Sequence, residues 1–118
     1  MNKPLKGEIW LVRLDPTEGH ELNKSRPCLI ISNDRFNKCA ADLVIVVPLT
    51  SKNKSIPLHV HVNQNQAGLS VDSFIMPEQI RSVSTQRCIK YIGSVSSNIL
   101  KELHQKLLIL LDLNYLLN

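Results

Sequence analysis

Arg26 stands directly before Pro27 at the mouth of the aliphatic run PCLIIS (27–32), and Thr50, Ser51 and Lys52 stand at the exit of a second run, LVIVVPLT (43–50). The residue before a proline is held extended, which fixes the direction in which Arg26 leaves the backbone. A guanidinium offers a planar fork of donors suited to phosphate, and hydroxyls and an ammonium beside it add donors and charge. If the two runs are neighbouring strands, these groups converge at one rim, an arrangement that suits a phosphodiester. The loop before Arg26, GHELNKS (19–25), adds His20 and Glu21, then Asn23 and Lys24, in a polar setting typical of turns. The competing reading is a surface Arg–Glu pair beside a solvated loop, and charge alone favours it.

Other residues invite chemistry less strongly. His59 and His61 alternate on one face of PLHVHV (57–62), but no third ligand stands at a supporting spacing, so no metal site is expected and both are read as solvent-facing. Cys28, two residues from Arg26, is open to activation by positive charge, yet it lies inside an aliphatic run and reads as a small core residue. His104 falls on an amphipathic stretch and is expected to face outward.

The elements that must position these groups are short strands. EIWLVRL (8–14) stops at Asp15-Pro16, and PCLIIS is apolar enough to be covered on both faces. Pro48 restricts LVIVVPLT to an edge position or a bulge. PLHVHV, VDSFIM (71–76), QIRSVS (79–84) and CIKYIGSV (88–95) complete a small sandwich or barrel. The period then changes, with Ser97 or Asn98 as helix N-caps before ILKELHQKLLILLDLNYLL. Leu100, Leu103, Leu107, Leu110 and Leu111 form one apolar stripe, which Leu108, Ile109, Leu113, Leu116 and Leu117 widen beyond one core face. Such a helix suits burial against its own barrel and against a second chain.

The 118 residues fit one domain, 1–118, with 43% hydrophobic and 20% charged residues. No segment reaches membrane-spanning length and the N-terminus lacks the apolar stretch of a signal peptide. Three cysteines without a close pair suggest reduced thiols in the cytoplasm. A net charge of +4 favours an anionic partner, and 4% aromatics disfavour a binder that stacks base after base.

Taken in order, GEIWLVRLDPTEGHELNKSRPCLIIS, VIVVPLTS and PEQIRSVSTQR resemble the MazF/PemK family of toxin endoribonucleases, from Gly7 to the terminal helix. The resemblance implies a mainly β fold with a C-terminal α-helix, an SH3-like small β-barrel of the CcdB/MazF type, assembled as a homodimer. It implies metal- and cofactor-independent, sequence-selective cleavage of single-stranded RNA, usually mRNA. The family's catalytic arginine and threonine fall on Arg26 and Thr50, and its glutamate after Gly-x falls on Glu21. Gln79 and Arg81, in the Gln-Ile-Arg motif, would shape the site or the interface. Asn23, Lys24, Ser51, Lys52, Gln79 and Arg81 are expected to contact RNA. The commonest loop resembles Gly-Ser-Glu-Gln-Gly-Gly, and the departure from it here means that no RNA motif carries over.

Metal-free cleavage proceeds by attack of the ribose 2′-OH on the adjacent phosphorus, leaving a 2′,3′-cyclic phosphate and a 5′-hydroxyl. Arg26 and Thr50 would stabilise the phosphorane, while Glu21 is an easier base than an arginine, which titrates above about 12. His20 is either a proton carrier or a loop pin. The implied partners are single-stranded RNA and an antitoxin whose acidic C-terminal tail fills the groove, with DNA met only through that antitoxin and no membrane contact. The alternatives are a non-catalytic RNA- or protein-binding module on the same barrel and a gyrase-inhibiting toxin of the CcdB type.

Overall fold

The computed structural model describes residues 3–14 and 25–117. Seven strands make one curled sheet: β1 (Glu8–Arg13), β2 (Ser25–Ile30), β3 (Leu43–Thr50), β4 (Val60–Val62), β5 (Ser73–Ile75), β6 (Arg81–Ser84) and β7 (Cys88–Ser94). The order is β4-β5-β3-β2-β1-β7, with β6 also paired to β3 and every pairing antiparallel. Two helices, α1 (Asp34–Asn37) and α2 (Ser97–Leu110), are joined by short 3-10 turns at Pro77–Gln79, Thr85–Arg87 and Asn114–Leu117.

Period-two alternation divides the apolar residues between two clusters. Ile9, Leu29, Val47, Leu49, Val60, Val62 and Ile75 pack with Leu103 and Leu107 of α2, while Val12, Cys28, Ile30, Val44, Val46 and Val83 form a second cluster. PCLIIS therefore feeds both faces, as its unbroken apolar character requires. Burial of Cys28 raises its thiol to about 12, and burial of Cys88 raises its thiol to about 11, so neither is an activated nucleophile.

β3 is not an edge strand. Its first half pairs with β6 through Val46 and its end pairs with β5 from Leu49, so Pro48 occupies the gap where one neighbour hands over to the next. The missing amide falls there, and the Pro48 carbonyl still accepts from the Met76 amide at 2.9 Å. A buried polar knot ties the entry of the chain to β3: Asn37 Nδ2 donates to the Pro4 and Ser32 carbonyls, the Asn37 Oδ1 and Ser32 Oγ are hydrogen-bonded, and Ser32 Oγ accepts from the Ile45 amide. Each of these buried groups has a partner, as interiors demand.

The β4–β5 connection is held by close approach of its backbone to that of β7. A Cβ at Gly93 would lie 2.2 Å from the Ala67 carbonyl oxygen, and one at Gly68, where φ is +78°, would lie 2.1 Å from that of Ile92. Only glycine permits this contact, which seats the connection on β7.

The helix starts one residue earlier than the caps read from sequence. Ser96 is the N-cap, its Oγ accepting from the Ile99 amide at 3.2 Å. The inward stripe is also shorter: Leu103 and Leu107 are buried and Leu100 packs against the core, whereas Leu110 and Leu111 are exposed. Among the described residues no helix is long and apolar enough to cross a membrane.

Candidate active site

The ladder between β2 and β3 opposes Cys28 to Pro48, Leu29 to Val47 and Ile30 to Val46. Carried two residues beyond Cys28, that register sets Arg26 opposite Thr50 on one face of the pair. The Arg26 Nη1 donates to the Leu49 carbonyl at 3.4 Å, which draws the guanidinium across to the end of β3. Thr50 is only 7% exposed, and its Oγ1 accepts from the Lys52 amide at 3.2 Å. That bond occupies one lone pair and leaves the hydroxyl proton available.

Both residues line a cleft of about 740 Å³. Ser51 and Lys52 continue its polar rim, and Leu11, Pro27, Leu49 and Leu69 give it an apolar lining. Lys90 and Ile92 of β7 stand on another side, and Ser70 of the β4–β5 connection and Ser73 at the start of β5 also line it. The volume is in the range of small-ligand sites. A phosphate beside Arg26 would meet a charged fork and a hydroxyl, with apolar surface next to it for a base or sugar.

The remaining sequence candidates divide. Ser51 and Lys52 reach the cleft. His20, Glu21, Asn23 and Lys24 lie outside the described residues. Gln79 and Arg81 do not line the cleft: Gln79 closes a 3-10 turn, and Arg81 Nη1 donates to the Leu14 carbonyl at 3.2 Å. Arg87 Nη1 does the same for the Arg13 carbonyl at 3.2 Å. Two guanidiniums thus hold the exit of β1, a role invisible in sequence because it depends on strands 67 and 74 residues apart.

The histidines also depart from expectation. His59 precedes β4 and its side chain is 3% exposed, with Nε2 2.7 Å from Glu78 Oε2 and Nδ1 buried without a hydrogen-bond partner. Among the described histidines, His61 is the open one, stacked on Phe74 with ring centroids 4.8 Å apart and 3.4 Å from Asp72. His104 is half-buried, not outward-facing. Its Nε2 has no partner, and desolvation, with Lys6 nearby, lowers its pKa from 6.5. Among the described residues no group of three or more His, Cys, Asp or Glu is arranged to hold a metal ion.

A curled barrel capped by one helix, with an arginine and a threonine meeting at a strand-end cleft, defines a class of small toxin proteins. The family model described as PemK-like, MazF-like toxin of type II toxin–antitoxin system matches residues 5–111, and the chain belongs to that family. It is 43% identical over 113 residues to Endoribonuclease MazF9 of Mycobacterium tuberculosis, covering 92% of this chain and 96% of the relative. It is 32% identical over 110 residues to Endoribonuclease MazF of Staphylococcus saprophyticus, covering 92% of each. The crystal structure of MazE-MazF from Deinococcus radiodurans is similar with a TM-score of 0.82 at 25% identity, over 96% of this chain and 99% of that one.

Proposed function

We propose that this MazF-type toxin is an endoribonuclease that cuts single-stranded RNA, mRNA foremost, in the Arg26–Thr50 cleft. The observation that carries the proposal is that Arg26 and Thr50, on the paired strands β2 and β3, line one cleft open to solvent. The endoribonuclease names of relatives matched over 92% of the chain support it.

The chemistry follows from the groups present. The ribose 2′-oxygen attacks the adjacent phosphorus, the bond to the 5′-oxygen breaks, and the products carry a 2′,3′-cyclic phosphate and a 5′-hydroxyl. Negative charge grows on the non-bridging oxygens, where the Arg26 fork and the Thr50 hydroxyl supply fixed donors. Removal of one such donor typically costs about 10²–10³ in rate. Glu21 takes the 2′-hydroxyl proton as general base, solvent water gives a proton to the departing 5′-oxygen, and His20 orders its loop. Lys52 and Ser51 contact the flanking backbone, together with Asn23 and Lys24, while Gln79 and Arg81 support the site from outside the cleft.

The partner is an antitoxin whose acidic C-terminal tail competes with RNA for the same cations, and DNA is reached only through it. Solved relatives described as MazE-MazF complexes support an antitoxin partner. The toxin works in the cytoplasm as a homodimer. The exposed apolar end of the chain supports the dimer, with Ile109, Leu111, Tyr115, Leu116 and Leu117 open to solvent.

The test is incubation of purified protein with a mixed single-stranded RNA, followed by mapping of 5′-hydroxyl ends. Cuts at a recurring motif are expected with wild type, and none with Arg26→Ala. Absence of cuts with wild type, or equal cutting by Arg26→Ala, overturns the assignment. A non-catalytic module or a gyrase inhibitor would give the first of these results.

A further inference from the structure

The cleft has a cation on a strand that the known pattern of Arg-Pro and strand-end threonine does not reach. Leu11 of β1 is opposed to Pro27 of β2 on one side and to Lys90 of β7 on the other. Directly opposed residues in an antiparallel sheet share a face, so Pro27, Leu11 and Lys90 form a row across three strands. All three line the cleft. Lys90 is exposed, so its ammonium keeps its hydration until a ligand arrives.

Geometry decides which ligand atom it meets. Strands lie about 4.8 Å apart, so Lys90 stands about 10 Å from the β2 backbone that carries Arg26. Thr50, on β3, is a further strand spacing away. Arg26 follows the alternation of Cys28 and Ile30 and so leaves β2 on the other side from the Pro27–Leu11–Lys90 row, with its guanidinium on the Leu49 carbonyl at the strand end, so that Lys90 and the Arg26–Thr50 pair line different parts of one cleft. We propose that Lys90 binds the backbone phosphate neighbouring the scissile one, so that the RNA runs across β2, β1 and β7 with one nucleotide over the Leu11–Pro27 surface. This inference rests on the assignment of the cleft to RNA cleavage, and it adds a contact that fixes the direction of the strand.

A contact to a neighbouring phosphate is made equally in the ground state and the transition state, so it lowers KM without altering kcat. It also has an ionic signature, since each lost phosphate contact to a single strand flattens the dependence of log affinity on log salt by about 0.7. The experiment uses an RNA oligonucleotide carrying the cut site mapped for the wild type, with KM and kcat measured over a salt series. Lys90→Gln is expected to raise KM about tenfold, hold kcat within about twofold and flatten the salt slope by about 0.7. Lys90→Arg restores KM, and Lys101→Gln, an exposed lysine on α2 outside the cleft, leaves all three values alone. A fall in kcat at constant KM, an unchanged salt slope, or equal effects of Lys90→Gln and Lys101→Gln overturns the inference. These results are distinct from a failure of the RNA assignment, in which the wild type itself cuts nothing.

Discussion

Thr50 is a donor with its orientation already set. The Lys52 amide holds its oxygen, so the hydroxyl proton remains for a phosphoryl oxygen beside Arg26. Thr50→Ala is therefore expected to lower single-turnover cleavage by about 10²-fold, whereas Thr50→Ser, which keeps the hydroxyl, should retain most of it. Thermal melting of both variants checks that the mostly buried position still folds. At this scale the convergence of Arg26 and Thr50 on one cleft was legible, from a proline that stiffens its predecessor and from a polar residue that ends an apolar run. The sequence was silent on Lys90, because a lysine in CIKYIGSV looks like any solvated strand residue until the register of β1 sets it beside Leu11. Arg81, placed with RNA through the Gln-Ile-Arg motif, lies outside the cleft, and its guanidinium donates to the Leu14 carbonyl.

Among the elements, α2 shows how packing changes the meaning of a residue. His104 follows the buried Leu103 and is itself half-buried, and desolvation, with Lys6 nearby, depresses its pKa below 6.5. The unfolded chain consequently takes up that proton first as the pH falls. Stability from neutral His104 is present above about pH 6.5 and is lost progressively below it. Melting temperatures from about pH 7.5 to about pH 5 should fall less steeply in His104→Gln than in the wild type. The helix was legible from its 3.6-residue period, but its inward face was overestimated, because hydropathy alone does not tell Leu107 from Leu110. The strands were legible in number and approximate span, whereas the central position of β3 was not: a proline argues for an edge unless a change of neighbour happens to fall on it.

For the whole molecule, the decisive feature is what remains uncovered. Tyr115 and Leu117 are 67% and 69% exposed at the end of the chain, beside Leu116 and Ile109. An apolar set of this kind commonly marks an interface. Light scattering should give twice the 13.3 kDa chain mass for the wild type, and Leu116→Lys with Leu117→Lys should shift it to the single-chain mass without unfolding. A wild type at single-chain mass would remove the homodimer from the proposal. The interface was suggested by leucines too numerous for one core face, though sequence alone could not say which of them the barrel would claim.

The order β3-β2-β1-β7 carries a consequence for synthesis of the protein. Arg26 and Thr50 emerge early, but the opposing side of their cleft is built from Lys90 and Ile92 of β7, whose backbone lies against the turn at Ala67–Gly68. A chain ending before residue 92 would carry Arg26 and Thr50 but lack the β7 side of the cleft, so such a truncated form is expected to be inactive in the RNA-cutting assay.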